Sequence, residues 1–490
     1  MKNLSLLFIA LVLLVSDILS QSPDILWTKT YGGIEWEIGY EVQETSDGGF
    51  IISGVTNSFG GGSNDFYLIK TDANGDTLWT KTYGGAGTET AYSVFQTADG
   101  GYVIAGKIRE VGQTYTDVYI IRTNSSGDTL WTRIYGNGDT DEANSVIQTE
   151  GDGYYVMVGN TRSFGPGNSM IYFMEVSPTA DTMWQQYYGG SANDYGQEVI
   201  ETEDGYAIIG STANFGAGSF DAWIIRVDWD YNIIWSKTIG GSQSDDGYSI
   251  KQLTNGDFIG AGRTKSFGQG DFSFLIFRLS SGGDSLWAKV YGGTAKDQCT
   301  SVKQALGGGI IAAGSTESFG AGNTDWYIVR TDVNGNSLWT KTIGGIADDE
   351  CHSVAITSDG GYVLTGSTKS YGSGAADLWL VKLAPDPVGI NEEMCDMNYL
   401  LFQNYPNPFN PITKIKYKIP ERSFVTIKVF DVLGNEVITL LNKEKQAGTY
   451  GVEFDATGLT SGVYFFRLQA VPIGRQAGDY VETKKMVLMK

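Results

Sequence analysis

Short runs rich in Val, Ile, Tyr and Thr, separated by glycine-containing turns, fill the chain from residue 25 to residue 384. Several, such as DVYIIRT (117 to 123) and DAWIIRV (221 to 227), are almost continuously apolar. That pattern belongs to strands covered on both faces. Turns such as SDGG (46 to 49), ANGD (73 to 76) and ADGG (98 to 101) supply residues that tolerate positive φ, and so close hairpins. The pattern predicts an all-β fold, and 66 glycines with 13% aromatic residues agree with many strands joined by tight turns.

The runs recur in a fixed order. The phrase LWTKTYGG (78 to 85) returns as LWTKTIGG (338 to 345), and its tryptophan falls at Trp27, Trp79, Trp131, Trp184, Trp235, Trp287 and Trp339. The period is about 52 residues, the signature of a repeat architecture. Each unit also holds an SVxQT-like run, a YVIAG-like run, an SFGxG-like loop and a YLIKTD-like run, which makes four short strands per unit. Four-stranded sheets that follow one another predict a seven-bladed β-propeller over residues 25–384.

Turn lengths leave two ways to divide the units into blades. Three residues before the Val or Ile of the SVxQT run stand Gly39, Ala91, Ala143, Gly196, Gly247, Cys299 and Cys351, all small. Small residues suit the crowded centre of a ring, so SVxQT is expected innermost and the tryptophan strand outermost. The chain begins with a tryptophan strand (25 to 31), and its last unit ends at 383 without one. The first strand is therefore expected to complete the last blade and remove two open sheet edges. An open solenoid would more naturally carry polar caps.

Residues 1–20 have the form of an export signal: Lys2, the apolar run from Leu4 to Val15, then Ile18 and Ser20 before the cut. The apolar run is short of the roughly 20 residues of a spanning helix, and no later segment is apolar enough to span. No transmembrane helix is expected after cleavage. Net charge is −22, and residues 391–490 hold 12 basic and 11 acidic side chains, so the excess acid lies in the first 390. Such a surface repels phosphate backbones, which argues against nucleic acid as a partner. Three cysteines make no disulfide framework in 490 residues. Cys299 and Cys351 are expected as buried thiols.

Every unit carries a carboxylate after its YGG-like turn: Glu37, Glu89, Asp141, Asp194, Asp245, Asp297 and Asp349. The structural expectation is that these oxygens accept backbone N–H bonds within the crossover between blades. The functional alternative is a ring of acid that gathers Ca²⁺ or a cationic ligand; no other cofactor is expected. Enzyme signals are thin. His352 is the only histidine, which excludes a zinc site with several imidazoles, and no GxSxG elbow accompanies it. Paired carboxylates for glycoside hydrolysis or a lyase remain open, although activity normally breaks repeat symmetry at one place.

Composition changes at 384. APDPVG (384 to 389) and NYPNPFNP (404 to 411) hold five of the ten prolines, giving a linker over 385–398 and a second domain over 399–490. Within it TKIKYKIP, FVTIKVFDVLGNEVITLL, YGVEFDAT, GVYFFRLQAV and TKKMVLMK alternate apolar with polar residues, as in a small Ig-like β-sandwich. NYPNPFNP, VFDVLGNEV, DATGLTSGVYFFRL and TKKMVLMK, in that order, resemble the type A C-terminal sorting domain of the type IX secretion system. The resemblance implies a folded address tag recognised at the outer membrane. Its motif falls on Pro406, Asn407, Pro408, Gly434, Gly462, Tyr464, Lys484 and Lys485.

The sequence therefore predicts an exported β-propeller with a binding or structural role, secreted or held at the cell surface. Its partners would be the type IX machinery and an extracellular glycan, protein or ion. The alternative is a secreted carbohydrate-active enzyme using carboxylates at the propeller mouth.

Overall fold

The computed structural model describes residues 21–387, apart from 166–167 and 307, and residues 399–489, apart from 403, 405, 420–421, 446–447 and 473–479. The expected signal peptide, most of the expected linker and Cys395 lie outside the described residues. Among the described residues all regular structure is β, and no helix is long and apolar enough to cross a membrane. The chain divides into two compact units, residues 1–390 and 391–490.

The first unit holds seven four-stranded antiparallel sheets of the kind found in propeller blades. In one of them the strands are Glu37–Glu44, Phe50–Thr56, Asp65–Thr71 and Thr77–Tyr83, neighbours in that order. The SVxQT-like run is thus the first strand and the tryptophan run the fourth. In the seventh sheet the fourth place is taken by Ile25–Tyr31. It pairs with Asp377–Leu383, setting Thr28 opposite Val381 and Tyr31 opposite Leu378.

Apolar cores lie between successive sheets, so second and third strands are covered on both faces. Phe50–Thr56 and Asp65–Thr71 are buried at every position. One such core joins the seventh sheet to the one just described, packing Val363, Leu378 and Leu380 with Val42, Phe50 and Ile52. The small residues of the first strands sit where a neighbouring sheet presses closest. A Cβ on Gly39 would come within 2.4 Å of Thr365 Oγ1. Fourth strands are the half-exposed edges, and six of the seven carry a cation two residues after the tryptophan: Lys29, Lys81, Arg133, Lys237, Lys289 and Lys341. Charge on an edge strand discourages pairing with another chain.

The hairpin turn between third and fourth strands rests on the tryptophan of the preceding sheet. Gly75 has φ +75°, and a Cβ there would meet the Trp27 ring at 2.8 Å. Backbone conformation and the ring both call for glycine. At one equivalent turn stands Tyr231 instead, at φ 64°, its ring stacked on Trp184 at 3.5 Å. The Tyr231 hydroxyl donates to Glu175 Oε2 at 2.7 Å. Glu175 replaces the cation that the other third strands carry at this position, Lys70, Arg122, Arg226, Arg278, Arg330 and Lys382, all but Arg278 buried. Two departures from the repeat thus answer each other.

The second unit has a three-stranded sheet, Leu400–Leu401, Ile412–Ile419 and Gly448–Asp455. Beside it is a four-stranded sheet in which Glu436–Lys445, Ser423–Phe430, Gly462–Pro472 and Tyr480–Leu488 are neighbours in that order. One apolar core contains Ile415, Tyr417 and Phe454 from the first sheet and Val425, Ile427, Phe466 and Met486 from the second.

Candidate functional site

The seven repeated carboxylates occupy seven separate junctions, each at the start of a first strand, and Glu37, Glu89, Asp141, Asp194, Asp245, Asp297 and Asp349 are 0–1% exposed. Asp245 is representative. Its Oδ2 accepts from the Gly241 N–H (2.8 Å) and Ser266 Oγ (2.6 Å), while its Oδ1 accepts from the Ser266 N–H (3.2 Å) and from Thr264 Oγ1. The Asp245 N–H bonds the Phe220 carbonyl of the preceding sheet at 2.8 Å. A second carboxylate approaches from that sheet: Asp221 Oδ2 accepts from the N–H groups of Ala217 (3.1 Å) and Gly218 (3.0 Å). Gly240, the first glycine of the phrase, is wedged between them. A Cβ there would lie 2.1 Å from Asp221 Oδ1 and 2.7 Å from Asp245 Oδ2. The YGG and SFGxG motifs are thus two loops fastened by two acids.

Glu89 departs from this scheme. Ile108 stands opposite it, where Thr56 stands opposite Glu37, and its Oε2 has no hydrogen-bond partner among the described residues. Burial, with the neighbouring Asp65 charge, pushes its carboxyl up to about 7. No group of three or more His, Cys, Asp or Glu side chains able to hold a metal ion occurs among the described residues.

A different site lies where the first strands of all seven sheets converge. Each of these strands carries a bulge just after its small residue, between Gly39 and Glu41 in the first of them. A plain strand sends consecutive side chains to opposite faces, whereas a bulge turns two to one side. Both Tyr40 and Glu41, and the corresponding pairs of the other six sheets, line a cavity of about 100 Å³.

A belt of hydrogen bonds surrounds it. The second residue of each pair accepts the backbone N–H three positions beyond the small residue of the next sheet. Val94 donates to Glu41 Oε2 (3.0 Å), Val146 to Ser93 Oγ (3.1 Å), Val199 to Ser145 Oγ (3.4 Å) and Ile250 to Glu198 Oε2 (2.8 Å). Val302 donates to Ser249 Oγ (3.1 Å), Val354 to Ser301 Oγ (3.2 Å) and Val42 to Ser353 Oγ (3.5 Å). The seventh link joins the last sheet to the first.

Charge breaks the repetition of this belt. Glu41 and Glu198 replace serine, and Lys251 and Lys303 stand two residues beyond Ser249 and Ser301. Lys251 Nζ is paired with Glu198 Oε1. Burial opposes ionisation of Glu198, but Lys251 and Lys303 outweigh it and hold the carboxyl below its usual range. Burial raises Glu41, against bonds from Ser93 Oγ and the Val94 N–H. Lys303 is the under-partnered member. Its one direct contact among the described residues is a long one to Ser301 Oγ, 3.4 Å, and burial beside Lys251, opposed in part by Glu198 and Glu41, pushes its ammonium down to about 8. His352 lines the same cavity with its ring 5.1 Å from that of Tyr40, and burial lowers its pKa. Cys299 and Cys351 are buried free thiols, and burial pushes Cys299 well up.

In the second unit, Asn407 and Phe409 of the proline-rich run lie against the strand Tyr480–Leu488. Asn407 Oδ1 accepts from the Val487 N–H (2.8 Å), and Phe409 exchanges backbone bonds with Val487 and Met489 (both 2.9 Å). Thr413 Oγ1 donates to the Pro406 carbonyl at 2.9 Å, and Pro408 follows in the same segment. Gly434 supplies φ +84° in the turn capped by Asp431. Gly462 opens the strand in which Tyr464 donates to the Thr460 carbonyl at 2.8 Å. Lys484 and Lys485 lie on Tyr480–Leu488, Lys485 exposed.

Residues 403–487 match the secretion system C-terminal sorting domain family. This second unit is thus of the type IX sorting kind, and marks an exported protein, secreted or at the surface, that engages the type IX machinery. The chain is also 22% identical over 378 residues to the regulatory protein FlaEY of Caulobacter vibrioides, covering 69% of this chain and 37% of that protein. It spans little over a third of that relative's length. Among solved structures, Sqt1 from Chaetomium thermophilum is 11% identical, with a TM-score of 0.40 over 70% of this chain and 82% of the other. BBS1N, solved in complex with ARL6DN, is 11% identical, with a TM-score of 0.42 over 76% of this chain and 99% of the other.

Proposed function

We propose that residues 25–384 form a closed seven-bladed β-propeller, delivered outside the cell by an Ig-like sorting domain at 399–490 and acting there as a binding protein. The sorting-family match at 403–487 carries the export half of this reading. The seven-link belt, together with Ile25–Tyr31 completing the seventh sheet, supports closure. The binding half rests on symmetry. Repeat-wide features such as Asp245 are fastened inside junctions, whereas the central cavity gathers charged side chains that only a few units possess. A carbohydrate-active enzyme would need two acids free to face one substrate. Glu198 is engaged with Lys251 and the Ile250 N–H, and Glu41 with Ser93 and Val94.

Deleting residues 399–490 in a host with type IX machinery tests the export reading. The shortened chain is expected in the periplasm, and its release into the medium at the normal level would overturn the assignment.

A further inference from the structure

We propose that the central cavity binds a small organic carboxylate, its anionic group held by Lys303 Nζ. This deepens the binding reading above and rests on the ring being closed.

The groups left over inside the cavity decide the sign of the ligand. Glu198 is spent on Lys251 and the belt, and Glu41 Oε2 on Ser93 Oγ (2.7 Å) and the Val94 N–H. An ammonium has three donors. Lys303 uses one, weakly, on Ser301 Oγ, and forms no ion pair among the described residues. Ser301 accepts the Val354 N–H and keeps its own hydroxyl hydrogen to give. The cavity therefore offers donors: Glu198 and Glu41 act on the Lys303 charge, but neither bonds it directly among the described residues, and buried N–H donors are costly to leave unfilled. A bound carboxylate supplies the missing acceptor oxygens, in a charge-assisted bond. A metal cation would meet an ammonium instead of the several free oxygens it requires.

Size and shape narrow the class further. A volume of about 100 Å³ holds several waters, enough for an acid of a few carbon atoms. Tyr40 and Tyr92, edge to face at 5.1 Å, lie together on the lining, where their rings can meet its carbon part. Repetition gives the argument its specificity. Lys303 stands where five of the other units have Gln43, Phe95, Ile147, Ile200 and Ala355 and the sixth has Lys251, which is paired with Glu198, so the fold does not require a lysine there.

The test is calorimetric titration of the purified full chain with acetate and with lactate at constant ionic strength, using chloride, phosphate and glycerol as comparisons. Saturable carboxylate heat and a rise in melting temperature are expected, absent with chloride and glycerol. Lys303→Gln should weaken binding at least tenfold while melting at or above the wild-type temperature, and Lys303→Arg should retain binding. No carboxylate response beyond that of chloride in the wild type, a stronger response to phosphate, or equal binding by a folded Lys303→Gln would each overturn the proposal. If Lys303→Gln does not fold, the wild-type titration decides alone. Export is measured separately by the tail deletion, so either reading can fail without the other.

Discussion

The backbone N–H of Val42 donates to the Oγ of Ser353, 311 residues further along the chain. The same link joins every other pair of successive first strands, and this one returns the belt to its start. Outside it, Ile25–Tyr31 returns the chain to its start a second time by pairing with Asp377–Leu383. The unit is fastened at its centre by side chains and at its rim by a strand.

The two fastenings differ in strength. Ser353→Ala removes one neutral hydrogen bond and should cost about 1 kcal/mol in urea unfolding. Deleting residues 25–31 strips a whole strand and opens the edge of Asp377–Leu383. That variant should melt far lower and self-associate by light scattering. A monomer as stable as the wild type would show that the strand does not hold the unit.

Asp245→Ala should destabilise by about 2–4 kcal/mol, since a charged acceptor of several bonds is lost and its donors stay buried. Asp245→Asn should cost less. Melting with and without millimolar calcium checks the alternative role. Equal melting temperatures favour fastening, whereas a calcium-induced rise that disappears in Asp245→Asn would establish a cation site.

Glu89 gives a pH signature of defined sign. Its carboxyl is raised from about 4.5 to about 7 in the folded state, so folding favours the protonated form. The folded state carries no penalty below pH 4.5, loses stability as pH rises, and above pH 7 bears up to about 3 kcal/mol. Glu89→Gln should therefore stabilise the protein at pH 8 and leave it nearly unchanged at pH 4. Parallel unfolding curves at the two pH values check this, and equal effects at both would refute it.

Tyr231→Phe keeps the stacking on Trp184 and removes the donor to Glu175. The expected cost is about 1–3 kcal/mol at neutral pH, shrinking on acidification as Glu175 takes up a proton. A cost independent of pH would show that the hydroxyl does not serve Glu175.

The repeat period and the order of strands within each sheet were legible because burial on both faces writes continuous apolar runs, and because Trp27 and its counterparts keep register with Gly75-type turns. The placement of Ile25–Tyr31 followed from counting tryptophans. Tyr40 and Glu41 were not legible as cavity residues. Alternation assigns neighbours in a strand to opposite faces, and only the bulge after Gly39 overrides it. His352, at the repeat position of Tyr40, is hidden for the same reason, and so is Lys303 two residues beyond its bulge. The signal that could have found them is departure from the repeat: Glu41, Glu198, Lys251 and Lys303 all lie within three positions of one bulge.

The strand Ile25–Tyr31 also imposes an order in time. It emerges some 350 residues ahead of its partner Asp377–Leu383. Until that partner arrives the strand has an unpaired edge, so an early-emerging part of the chain is the last to be locked. The seventh sheet therefore cannot be completed until Asp377–Leu383, at the far end of the first unit, has been made.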